Sequence, residues 1–201
     1  MTRQPLAAAL ALAALATPVA VHAQASDPGA QTVERFDAAL LSAMKSGGGA
    51  QGRFTRLLPA AQQAFDFPTM TRVAVGPQWT SIPAAQQQQL VTAFARFTAA
   101  SFAKNFGSYD GERFTVDPAV QTRGVDKLVK SQLIGKSGSP TDFTWRMRQA
   151  GGQWKIVDVF YNGAISQLAS QRSDFQSTLA SGGAGALVKK LDGKTETLLK
   201  G

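Results

Sequence analysis

Asp158 is the one acid set inside an apolar run, Trp154-Lys155-Ile156-Val157-Asp158-Val159-Phe160-Tyr161. A buried carboxylate without a partner is costly, and Arg172, on the helical pattern that follows, is the expected one. A strand–helix ion pair is favoured over a catalytic acid, because the groups that would assist an acid are missing. The sequence holds no Cys and a single His, His22. Without His or Cys beyond position 22, Ser-His-Asp and Cys-His nucleophile systems are impossible. Ordinary zinc sites lose their ligands, and no imidazole titrates near neutral pH. The three Glu, Glu34, Glu112 and Glu196, are scattered, whereas glycoside hydrolysis needs two acids about 5–10 Å apart. Gly135-Lys136-Ser137-Gly138 lacks the earlier glycine of a phosphate-binding loop and reads as a hairpin turn. No catalytic residue, metal or cofactor is expected.

The N-terminus explains where such a chain would work. Arg3 precedes an Ala/Leu run, Leu6 to Ala16, and then Val21-His22-Ala23. A basic start, a short apolar stretch and small residues at −3 and −1 predict a cleaved signal peptide over residues 1–23. The run is short for a membrane span of about 20 residues. Residues 24–201 then form one domain. Loss of Arg3 lowers the formal net charge from +8 to +7. The excess is concentrated at Arg123, Lys127, Lys130, Lys136, Arg146, Arg148 and Lys155, against Asp126 and Asp142. In a periplasm such a patch suits anionic headgroups or acidic protein surfaces rather than nucleic acid, and a solvated basic sheet face explains it equally well.

The elements that must position these residues follow from periodicity. Val33, Phe36, Leu40, Leu41 and Met44 mark a first helix, ended by Ser46-Gly47-Gly48-Gly49. Phe54, Leu57, Leu58, Ala61 and Phe65 mark a second, with Pro59 inside it as a kink or first turn. Phe67-Pro68 opens a short third helix that stops at Gly76-Pro77. The longest helix is expected from Ser81, as N-cap, to about Phe106, with Leu90, Phe94, Phe97 and Ser101 on one stripe and Val91, Phe102 and Phe106 beside it. After Tyr109 the period becomes two. Phe114 and Val116 form one strand; Val125, Val129 and Leu133 a second; Phe143, Trp145 and Met147 a third; Trp154 to Tyr161 a fourth. Two helices, about 163–180 and 184–200, close the chain around Ser181-Gly182-Gly183. Helices, then an antiparallel meander, then helices is an α+β order. Such a sheet with helices on its concave face makes a cone, filled by side chains or left open for an apolar ligand.

Several segments also carry a family resemblance. They are Arg53-Phe54, Phe65-Asp66-Phe67 with Met70-Thr71-Arg72, Val75-Gly76-Pro77-Gln78-Trp79, and Phe94 to Phe106. Trp154 to Val159, Gly163-Ala164-Ile165-Ser166, Gln171 to Phe175 and Gly182 to Leu187 complete the set. In order and spacing these resemble the MlaC (toluene-tolerance) family of periplasmic phospholipid-binding proteins, and within it the hopanoid-biosynthesis-associated HpnM group. The resemblance implies an NTF2-like cone of about four strands with a deep acyl-chain pocket. It also implies lipid transfer between inner and outer membranes, docking on an inner-membrane ABC transporter complex and on an outer-membrane lipoprotein. Gln171 stands where phospholipid carriers often have an aromatic, which leaves phospholipid and hopanoid both open as the ligand.

The chemistry agrees with that reading. Moving a two-chain lipid through water exposes about 30 methylenes at about 0.8 kcal/mol each, roughly 25 kcal/mol. Enclosing it needs no nucleophile, metal or redox group. The expected pocket wall is Phe94, Phe97, Phe102, Trp145, Met147, Val157, Val159 and Tyr161, with Arg146 and Arg148 at the mouth for headgroup or membrane contact. Asp158 and Arg172 are assigned a structural pairing. The competing readings are an enzyme on the same cone using Asp158 and Tyr161, and a non-catalytic adaptor. A long apolar cavity favours transport, a small pocket around Asp158 favours catalysis, and no cavity favours an adaptor.

Overall fold

The computed structural model describes residues 27–136, 140–163 and 165–200; the expected signal peptide lies outside them. Four helices come first: α1 (Pro28–Lys45), α2 (Gly49–Ala64), α3 (Phe67–Val75) and, after a 3-10 turn over Gly76–Ser81, α4 (Ala84–Asn105). Six strands follow: β1 (Arg113–Val116), β2 (Gln121–Arg123), β3 (Asp126–Ile134), β4 (Pro140–Ala150), β5 (Gln153–Tyr161) and β6 (Ile165–Ser166). Helix α5 (Gln167–Leu199) ends the chain. The fold is α+β, with one antiparallel sheet ordered β1-β3-β4-β5-β6 and β2 paired beside β1 along β3.

Caps and turns explain most boundaries. Asp27 accepts from the Gly29 N–H at 2.7 Å and starts α1. Asp66 accepts from the Thr69 N–H at 3.0 Å and starts α3, with Pro68 in its first turn. Both carboxylates satisfy donors that a helix N-terminus leaves unpaired. Ser81, the N-cap of α4 expected from sequence, does not cap it. It lies in the 3-10 turn, its hydroxyl donates to the Gln78 carbonyl, and Pro83 holds the cap position without a side-chain bond. Pro59 stays inside α2, which continues to Ala64. The β4–β5 hairpin turns on Gly151 (φ 56°) and Gly152 (φ 78°), with Ala150 opposite Gln153. Two successive positive φ values are what a tight two-residue hairpin requires.

The sheet exceeds the four expected strands. β2 has three residues and β6 two, all but Ser166 exposed, too short to show a period. Val125, expected within a strand, lies in the β2–β3 turn and is 73% exposed. The two expected C-terminal helices are present, run together here as α5 and broken at Gly183 (φ 67°, ψ −168°), a conformation only glycine adopts readily.

The core fills one face of the sheet. Phe36 of α1 meets Phe65 at 5.0 Å and Trp145 at 5.8 Å, both edge-on, and Phe143 stacks on Trp145 at 5.6 Å. Edge-to-face and offset-stacked rings are the favoured arrangements. Trp145 is fully buried, and its indole N–H donates to Ser131 Oγ at 2.9 Å. β5 carries a bulge: Trp145 faces Val159 and Arg146 faces Asp158, but Met147 faces Ile156, leaving Val157 as the extra residue. The bulge breaks the two-residue period, and four consecutive residues, Ile156 to Val159, are buried. The other edge of β5 is covered at Ile156 by a parallel bridge to Phe65 and a bond from the Asp66 N–H to the Ile156 carbonyl at 2.9 Å.

Candidate functional site: an apolar cavity between α4, β5 and α5

Helix α4 supplies one wall because its residues at positions 94, 97, 98, 101, 102 and 105 fall on one stripe at three- and four-residue steps. β5 adds Asp158, Val159 and Tyr161, and the start of α5 adds Gln167, Leu168 and Gln171. Phe65 and Met70 close the inner end. The cavity volume is about 180 Å³. A larger recess of about 610 Å³ runs along β1, β3 and β4. Asp117, Lys130 and Asp142 share its wall with Val116, Pro118 and Phe143, so it carries charges of both signs where the smaller one has Asp158 alone.

Of the residues predicted for the wall, Phe94, Phe97, Phe102, Val159 and Tyr161 line this cavity. Trp145, Met147 and Val157 do not. Trp145 and Met147 are each 0% exposed, in the core, where Trp145 packs on Phe36 and Phe143. Strict alternation puts Val157 on the face of Val159, and the bulge at Val157 takes it out of that face. Arg146 and Arg148 are not at this mouth either. Arg148 holds Asp126 through Nε at 2.6 Å and a terminal nitrogen at 2.9 Å, and Arg146 Nε lies 3.7 Å from the same carboxylate.

The expected Asp158–Arg172 pair does not form. Arg172 is exposed on α5. Asp158, 2% exposed, is satisfied by donors at the start of that helix instead. Its Oδ1 accepts from the Leu168 N–H at 3.1 Å and from its neighbour Val159 N–H at 2.8 Å. Its Oδ2 accepts from the Ser166 hydroxyl at 2.6 Å. Ser166 in turn accepts from the Ala169 N–H at 2.9 Å as the cap of α5. A carboxylate at a helix N-terminus meets unpaired N–H groups and the positive end of the helix dipole, so no arginine is needed. The local pair Asp158 with Ser166-x-Leu168 was the signal that could have shown this.

Leu168, Gln171, Phe65, Met70, Thr98, Asn105 and Gln167 complete the lining and were not foreseen. Leu168 and Gln171 were readable at an i, i+3 spacing on α5; Phe65 and Met70 reach the site only through the bridge of Phe65 to β5. The Tyr161 phenol is pushed up to about 12 by burial and stays neutral. Lys194 sits over the Phe97 ring, 5.7 Å from its centre. Among the described residues no cluster of three His, Cys, Asp or Glu could hold a metal, and no helix is long and apolar enough to cross a membrane.

Helices on one face of an antiparallel sheet, with a small apolar cavity between α4, β5 and α5, define an α+β domain. The chain belongs to the MlaC protein family, whose profile matches residues 32–193. The fold is similar to that of a phospholipid-binding protein from Ralstonia solanacearum, whose structure was solved in complex with a phospholipid. The TM-score is 0.72 and the identity 21%, over 85% of this chain and 98% of the other.

Proposed function

We propose that this protein is a non-catalytic periplasmic lipid carrier that shields an acyl or polycyclic chain in the α4–β5–α5 cavity. The observation that carries the reading is the cavity itself: phenylalanines of α4 on one side, Val159 and Tyr161 on another, and Leu168 of α5 as a roof. The phospholipid found in the Ralstonia protein of similar fold supports it. So does the state of Asp158, whose two oxygens are already committed to three donors and which is therefore poorly placed as an acid or base.

A cavity of about 180 Å³ is smaller than a whole two-chain lipid, so full enclosure requires it to widen. In the cell the carrier would move phospholipid or a hopanoid-type lipid between the inner and outer membranes. It would serve as the soluble component of an ABC-type system, meeting an inner-membrane complex and an outer-membrane lipoprotein. Lipid extraction and mass spectrometry of protein purified from the periplasm test the reading. Stoichiometric lipid is the expected result; protein that carries none and takes none up from vesicles overturns it.

A further inference from the structure

The end of α4 serves two cavities. Phe102 lines the one between α4, β5 and α5. Phe106, one helical turn on, lines a second of about 300 Å³, with Met44 of α1, Leu133 of β3 and Phe143 of β4. The Phe102 and Phe106 rings lie 5.8 Å apart, so the apolar wall passes from one cavity to the other without a gap. Asn105 and Tyr161 are the two residues common to both linings, which places them at the junction.

These two bring donors into apolar surroundings: a phenol O–H and an amide NH₂. Among the described residues neither side chain has a hydrogen-bond partner, whereas Ser101, on the same stripe of α4, already donates to the Phe97 carbonyl at 2.9 Å. Burial holds the phenol in its protonated, donating form. An acceptor brought by a ligand would use donors that the fold leaves open. Tyr161 is half-buried and Asn105 exposed, so the junction reaches the surface. Each cavity has one charged residue, and both are acids already accepting hydrogen bonds: Asp158 in the first and Glu112 in the second. A phosphate is therefore best left in water, and a group attached at the junction can stay there. The matching ligand has two apolar chains that diverge from uncharged acceptors, with its polar end outside.

We propose that Asn105 and Tyr161 hold the ester carbonyls of a two-chain lipid, whose chains part at this point into the two cavities while its headgroup stays in water. The proposal rests on the lipid-carrier reading. It adds a second chain site and two residues that recognise the ester linkage itself.

The test is competition. The purified protein is incubated with vesicles holding equal parts of dioleoylphosphatidylcholine and its di-O-oleyl analogue, which lacks only the two ester carbonyls. Bound lipid is read by native mass spectrometry. About tenfold enrichment of the diester is expected, the scale of one to two net hydrogen bonds. Tyr161→Phe combined with Asn105→Leu keeps the shapes and removes the donors, and should lower the ratio to about twofold or less. Thr141→Trp, at an exposed residue of the second cavity, should fill that cavity. With oleoyl-lysophosphatidylcholine offered beside the diester, this variant should shift the bound ratio towards the one-chain lipid by about tenfold or more, the scale of displacing two methylenes. Diester and diether bound equally by the wild type, a double variant that keeps the full preference, or a Thr141→Trp protein with the wild-type chain preference overturns the proposal and leaves the carrier reading standing. The wild-type diester-to-diether ratio decides even where a variant does not fold. No lipid bound from any vesicle overturns both.

Discussion

Asp37 offers a direct measure of how much stability this fold gives up to one buried acid. It lies on α1, is 2% exposed, and neither carboxyl oxygen has a completed hydrogen bond. Burial pushes its carboxyl up to about 8. Ser131, whose hydroxyl approaches without closing to hydrogen-bond geometry, draws it back, and the nearby Glu34 raises it further. The unfolded chain ionises near 3.8. Between those two values the folded protein binds one proton more than the unfolded chain, so stability falls as pH rises, by up to about 1.4 kcal/mol per unit. From 3.8 to pH 7 that amounts to roughly 4 kcal/mol. Asp37→Asn keeps the shape and removes the titration. Urea unfolding of both proteins from pH 5 to 9 reads the difference. The wild type should weaken steadily up to about pH 8 and then level off. The variant should be more stable at pH 7 by about 2–4 kcal/mol and lack this slope. Equal pH slopes in the two proteins, or a variant weaker than wild type at pH 7, would refute the assignment of a neutral buried acid.

Asp158→Ala should cost about 1.5–3 kcal/mol in urea unfolding, because two donors at the start of α5, Ser166 and Leu168, and the Val159 N–H of β5 lose their acceptor, whereas Arg172→Ala should stay within about 0.5 kcal/mol; equal losses would restore the ion pair. Phe94→Ala, at a side chain 2% exposed and 5.2 Å from the Phe175 ring, should lose about 3–5 kcal/mol by thermal or urea denaturation. Gly183→Ala places a side chain at φ 67° and ψ −168° and should lower stability by about 1–3 kcal/mol, with circular dichroism showing whether the two halves of α5 persist. Ser131→Ala should leave the Trp145 indole N–H unpaired and cost about 1–3 kcal/mol, read as an earlier urea midpoint.

The long elements were legible because their patterns are long. Helix α4 shows its stripe over six turns, and β4 alternates cleanly through Phe143, Trp145 and Met147. The short strands β2 and β6 offered too few residues for any period. The cavity was half legible. The phenylalanines of α4 could be placed on one face from spacing alone. The phase of β5 could not, because a bulge is a backbone event that Val-Asp-Val does not announce. Sequence shows charges and hides backbone N–H groups, so it points to a cation as the partner of Asp158. Phe65 reaches the site by pairing with β5 across more than ninety residues of chain, a relation that only the folded sheet supplies.

The bulge at Val157 divides β5 into two half-strands with separate moorings. The first half is fixed by Phe65 and Asp66 at Ile156. The second is fixed by β6 and by Asp158 at the start of α5. Side-chain changes in either half can be absorbed where they occur. A change in the number of residues acts differently in its two directions: removing Val157 would leave Ile156 opposite Met147 and Asp158 opposite Arg146 in a plain ladder without the bend, whereas adding a residue would put one of the two out of register. The strand thus holds its bend in a single surplus residue, and a chain one residue shorter here should be straighter rather than unravelled.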